Sequence, residues 1–162
     1  MQKTPNLLLA YGSLLFALLC QLFPWTGQGI VFRPDFMLVV LLYWLFRAPY
    51  LCNVGTAWLV GAFVDLGTGS LLGQHALAFT LTAYVALSFQ RRLVLFNETQ
   101  ILAFTFALLV LTRFTVLILK LLSGNEMPTW HYFWPAVTGI LFWLVIKFVL
   151  GAIAHPKSTE AN

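Results

Sequence analysis

Charge is scarce in this 162-residue chain: 9% of its residues are Asp, Glu, Lys or Arg and 60% are hydrophobic. Soluble domains carry roughly a quarter charged residues, so water is excluded as the solvent for most of this surface and a bilayer takes its place. Alternating polar positions are missing from the apolar runs, which excludes a lipid-facing barrel and leaves helices as the form that satisfies every backbone group in lipid. Metal and catalytic signatures are missing too: there is no HExxH, CxxC, GxSxG or Walker loop, and no cofactor is expected. Cysteine is limited to Cys20 and Cys52. They fall near opposite membrane faces, too far apart for a disulfide, and are expected to be inert packing residues. The net charge of +4 is scattered rather than interleaved with aromatics, so nucleic acid is not expected as a partner.

What the chain does have is six apolar segments, at about 7–23, 34–48, 54–66, 74–89, 100–122 and 132–153. The fold class they define is all-α: one polytopic transmembrane domain over residues 1–162 with about six membrane-spanning helices. Lys3 precedes the first segment and no small-x-small cleavage pattern follows it, so it is expected to be a retained span. A small residue before Cys20, as a lipoprotein needs, is replaced by Leu19. Pro24, Pro34, Pro49, Pro128 and Pro156 lie at or outside the segment ends, and Pro135 falls in the first turn of the last one, where its missing N–H does little harm. With both termini cytoplasmic, Lys3, Arg47, Arg91, Arg92 and Lys157 face inward with Lys147 close by, while Arg33 and Lys120 face outward. A five-span arrangement that fuses 54–89 sends Arg91, Arg92 and Lys157 outside, so charge favours six. The apolar cores of the second and third segments, Phe36 to Phe46 and Val54 to Leu66, are short for a crossing, and flanking residues such as 33–35 and 47–48 are expected to extend the short ones. Trp25, Trp44, Trp130 and Trp134 fall near segment ends, where aromatic rings favour the interface. The sequon Asn97-Glu98-Thr99 lies in the expected cytoplasmic loop and is discounted.

The residues that could carry chemistry are few. Asp65 is expensive in a span, at about 2.5 to 3.5 kcal/mol if central, and needs a partner, a cavity or the interface. It can be read as an acceptor for N–H groups of the following glycine turn and the next helix's N-terminus, or as a proton or ligand site. Arg113, at mid-depth in the fifth segment, should face protein. It reaches a level similar to Asp65, so an ion pair between them is within geometric reach, with backbone carbonyls or a partner helix as other acceptors. His75, His131 and His155 are spread over three connections, where interfacial solvation accounts for them. Gly69-x-x-x-Gly73, Ser13-x-x-x-Ala17 and the pair Gly55 and Gly61 mark places where helix backbones could approach closely.

Phe32-Arg33-Pro34-Asp35-Phe36 leading into Leu41-Leu42-Tyr43-Trp44, then Asn53-Val54-Gly55, then Gly61-x-x-x-Asp65-Leu66-x-x-Gly69-Ser70-x-Leu72-Gly73 resemble the rod shape-determining protein MreD family over the first four helices. The last two helices match only in hydrophobicity, and Arg113 departs from the pattern. The resemblance implies a non-enzymatic scaffold of the cell-elongation machinery in the bacterial inner membrane, supporting rod shape and lateral peptidoglycan synthesis. Its implied partners are a bitopic MreC-like protein and, indirectly, MreB filaments, RodA and a class B penicillin-binding protein, besides membrane lipids. It also implies a fold similar to the substrate-binding membrane subunits of energy-coupling-factor vitamin transporters, which supplies the alternative function. Candidate structural or partner-binding residues are Arg33, Pro34, Asn53, Gly55, Asp65, Gly69, Ser70, Gly73 and Arg113. Substitution of Gly69 or Gly73 by Leu is expected to weaken partner binding if they form a groove.

Overall fold

In the computed structural model, residues 7–23, 33–124 and 130–154 are described, with 130–131 and 152–154 described for backbone only. Lys3, Pro24, Trp25, Phe32, Pro128, His155, Pro156 and Lys157 lie outside the described residues, as do the side chains of Trp130 and His131. Among the described residues there are seven α-helices and no strands. They are α1 (Leu7–Leu22), α2 (Phe36–Arg47), α3 (Val54–Thr68), α4 (Gln74–Ser88), the single-turn α5 (Gln90–Leu93), α6 (Glu98–Leu122) and α7 (Trp134–Ala154). A 3₁₀ turn, Trp130–Phe133, leads into α7. Each apolar segment thus holds one long helix, and polar residues trim the ends. Asn53 and Thr56 form a reciprocal capping box that starts α3. Gly69, at φ +65°, stops it in the left-handed conformation that a side chain would resist. The backbone N–H of Asn97 donates to Gln100 Oε1 as α6 begins.

The centre of the bundle is α2. Its nine residues from Met37 to Leu45 are all buried, and it packs against α1, α4 and α7. A helix hydrophobic all round belongs inside protein. Residues 33–35 and 48 are not helical, so α2 is 12 residues, about 18 Å, and nothing extends it to a bilayer's thickness. Neighbouring helices enclose it instead, and its ends meet protein groups. Trp44 belongs to this core: it is fully buried, and its indole N–H donates to Ser13 Oγ at 2.8 Å on α1, whereas an interfacial ring was expected. Ala10, Ser13 and Ala17 form the small-residue face that lets α1 lie against α2, as the spacing of Ser13 and Ala17 predicts.

Helices α3 and α4 form the tightest hairpin. A Cβ on Gly61 would stand 2.6 Å from Ala76 Cα and from the His75 carbonyl oxygen, so glycine is required there. Gly55 has no such role, since a Cβ there would meet only the neighbouring Asn53 side chain. A buried hydrogen bond of 2.7 Å between Thr82 and Thr112 ties α4 to α6. At the opposite end, exposed Lys147 on α7 pairs with Glu98 at the start of α6, a contact of small energetic weight.

Candidate functional site

Alternation of the helices brings the end of α1, the start of α2, the end of α3, the start of α4 and the end of α6 to one end of the bundle. Contact between α1 and α3 there is direct: Leu22 lies where a Cβ on Gly67 would project. Two polar clusters form at this end, each built on one of the chain's two aspartates.

The first is centred on Asp65, which is 1% exposed. Gly61 lies one turn earlier on the same helical face, and the close approach it permits sets the carboxylate over the first turn of α4. Asp65 Oδ2 accepts from the N–H of Gly73 at 2.9 Å and Ala76 at 3.2 Å, and the His75 N–H donates to both oxygens at 3.0 and 3.2 Å. Ser70 Oγ donates to Oδ1 at 2.8 Å, and His75 Nδ1 stands 2.7 Å from the same oxygen. A carboxylate thus satisfies the N–H groups that a helix start leaves unpaired, where the helix dipole also favours negative charge. Gly73, at φ +103°, turns its N–H toward Asp65 from a conformation few other residues adopt.

Ser70, His75 and Asp65 match a catalytic triad in residue type and not in arrangement. Both Asp65 and Ser70 Oγ, at 3.5 Å, approach the same ring nitrogen, Nδ1, so no relay runs from serine through the imidazole to the carboxylate. The cluster is a clamp between two helix ends. His75 was not anticipated in it. The available signal was its position two residues after Gly73, in the first turn of the helix that Asp65 was expected to face.

The second cluster is centred on Asp35 and gives Arg113 a partner outside those expected for it, which were Asp65, backbone carbonyls or a partner helix. Arg113 Nη2 lies 2.6 Å from Asp35 Oδ1, with the two side chains 15% and 11% exposed, and Asp65 has no part in it. Arg113 also sits over the Tyr132 ring at 5.6 Å from its centroid, and Lys120, two turns further along α6, lies 5.4 Å from the same centroid. Arg33 donates to the backbone carbonyl of Gln21 at the end of α1. Arg113 Nε is buried without a hydrogen-bond partner among the described residues. Asp35 could have been found by asking which acids lie toward the same end as Arg113, because it is the other of the chain's two aspartates and directly precedes α2.

The sequence-derived candidates therefore divide into three groups. Asp65, Ser70 and Gly73 meet, with Gly69 shaping the same turn; Arg33 and Arg113 flank Asp35, with Pro34 between Arg33 and Asp35; Asn53 and Gly55 lie at the other end of α3, about 18 and 15 Å along the helix from Asp65. Gly69 and Gly73 lie outside the helices with positive φ and open space around each, so what they visibly do in the bundle is shape the turn. Substituting Leu there would strain the turn, so lost partner recovery would not separate docking from folding. Both cysteines are free, as expected. Cys52 is buried in the turn between α2 and α3, where burial pushes its thiol up to about 11 and keeps it protonated at neutral pH.

Large apolar side chains cover the outside of the bundle, among them Leu8, Phe16, Phe63, Leu81, Phe114 and Phe148. Such a continuous apolar exterior is foreign to soluble monomers. Two helices, α6 and the 134–151 part of α7, are long and apolar enough to cross a membrane. The build is that of a helical membrane protein whose polar groups turn inward to staple helix ends. The family described as rod shape-determining protein MreD matches residues 1–152, and the chain belongs to that family. It is 32% identical over 123 residues to the rod shape-determining protein MreD of Haemophilus influenzae (strain ATCC 51907 / DSM 11121 / KW20 / Rd), covering 76% of this chain and 74% of that protein. No solved structure matches it significantly. Membership supports a role in determining rod shape.

Proposed function

We propose that this chain is a non-enzymatic scaffold of the cell-elongation machinery, held in the bacterial inner membrane as one six-span domain with both termini cytoplasmic. It binds a bitopic MreC-like protein and through it supports MreB filaments, RodA and a class B penicillin-binding protein in lateral peptidoglycan synthesis. The observation that carries this reading is the distribution of polarity. The two costly aspartates are engaged inside the bundle, while the helices turn leucine and aromatic side chains outward. A chain built this way meets partners through lateral helix faces and short connections. One such face is the outer side of α3, where Trp58, Leu59, Phe63 and Leu66 are each half exposed or more.

The test is affinity purification from native membranes of a rod-shaped bacterium, with a photo-cross-linking amino acid at Phe63 and partners identified by mass spectrometry. A single-span MreC-like protein should be recovered with the bait, covalently attached when the probe is irradiated. Recovery of an energising ATPase module, or a vitamin retained by the purified chain, would replace this reading with the transporter one.

A further inference from the structure

An apolar groove of about 220 Å³ runs along the bundle between α1, α2 and α7, with Phe16, Cys20, Phe36, Phe142, Val145 and Leu150 among its walls. Its exposed lining has no polar surface. One end of the groove lies at Cys20 and Phe36, where α1 ends and α2 begins. The guanidinium of Arg33 sits there, on the carbonyl of Gln21, the residue after Cys20. Arg33 and Arg113 share one carboxylate, Asp35, which is bridged to Arg113. With one acid between two guanidiniums, a net positive charge remains at this end among the described residues, and Arg33 itself bonds only a neutral carbonyl there. From this end the groove descends along α7 toward Leu150, which lies about 24 Å beyond the start of that helix.

We propose that this is a site for one anionic phospholipid, its acyl chain in the α1–α2–α7 groove and its phosphate-bearing headgroup against Arg33. The inference rests on the bilayer placement proposed above. Any groove open to lipid takes up hydrocarbon, so the wholly apolar lining accounts for occupancy and not for choice. Choice comes from the head. A guanidinium held at a groove's mouth in a low-dielectric setting forms short, charge-assisted hydrogen bonds with phosphate oxygens. A zwitterionic headgroup partly cancels that attraction with its own ammonium, whereas phosphatidylglycerol does not. In the proposed topology the site belongs to the outer leaflet.

The test uses the full chain, purified with mild detergent and incubated with equimolar phosphatidylglycerol and phosphatidylethanolamine of identical acyl chains. Retained lipids are counted by native mass spectrometry. The wild type should keep phosphatidylglycerol in about fivefold excess, the scale of one charge-assisted contact. Arg33→Gln should bring the ratio close to one with an unchanged unfolding midpoint, and Arg33→Lys, which keeps the charge, should retain most of the preference. Val145→Trp, which fills the groove from its half-exposed outer wall, should reduce retention of both lipids. Inorganic phosphate alone should not displace the lipid. Equal retention by the wild type, or a preference unchanged in Arg33→Gln, would overturn the site while leaving membrane insertion intact. So would phosphate that competes as well as the lipid, because the groove would then play no part. A photo-cross-linker at Val145 that captures protein instead of lipid in native membranes would assign the groove to a partner helix and equally overturn it.

Discussion

Asp65 holds three backbone N–H groups of the α4 start, a serine hydroxyl and an imidazole, so its substitutions should be graded by how many of these remain satisfied. Asp65→Leu strands all of them in a buried place, with a loss on the order of 3 kcal/mol or more. Asp65→Asn keeps one acceptor oxygen and about half that stability. Thermal unfolding midpoints in detergent should rank wild type above Asn and Asn above Leu; equal losses would mean that charge, not hydrogen bonding, is what the site needs. Arg113→Met should cost about 3 to 5 kcal/mol by removing the bridge from the buried Asp35 carboxylate, and adding Asp35→Leu should recover much of it. The expense of both charged residues, Asp65 and Arg113, was legible in the sequence, as was the role of the glycine turn. The partner of Arg113 was not. Helical rise alone placed Asp65 and Arg113 at similar depth, whereas the choice of Asp35 depends on how the start of α2 is set across from Arg113, which only the packed bundle decides.

At the scale of elements, the six long helices coincide with the apolar segments to within about two residues at most ends, because proline, glycine and Asn caps punctuate them clearly. What hydrophobicity could not reveal is which helix is surrounded. A lipid-facing leucine and a core leucine look alike in a chain that is apolar throughout, so α2 was read as a short span needing extension and Trp44 as an interfacial ring. Small residues were equally ambiguous: of the glycines marked as contact points, only Gly61 meets a backbone. Gly61→Ala should therefore force α3 and α4 apart and lower the unfolding midpoint strongly. Gly12→Ala, in open space on α1, should leave stability unchanged or raise it by about 0.5 to 1 kcal/mol through helix propensity. A similar loss in both variants would show that helix packing is not what Gly61 serves.

For the molecule as a whole, the arrangement depends on which helices cross the bilayer, and α6 offers the cleanest measurement. Its 25 residues span about 37 Å, more than the roughly 30 Å hydrocarbon core, so its two flanks must lie on opposite sides if it crosses at all. Asn97 and Ser123 are exposed residues at those flanks. In a chain carrying Cys20→Ala and Cys52→Ala, Asn97→Cys should react with an impermeant maleimide only after cells are permeabilised if the proposed topology, with Arg91 and Arg92 on the cytoplasmic side, is right. Ser123→Cys should react from outside in intact cells. The reverse pattern would invert the topology and with it the leaflet that Arg33 faces, yet leave the helix packing untouched. Reaction of both from one side would mean that α6 does not cross. The bundle would then have to bury its apolar exterior against other proteins, and a scaffold acting through lateral contacts in the membrane would no longer follow from the fold.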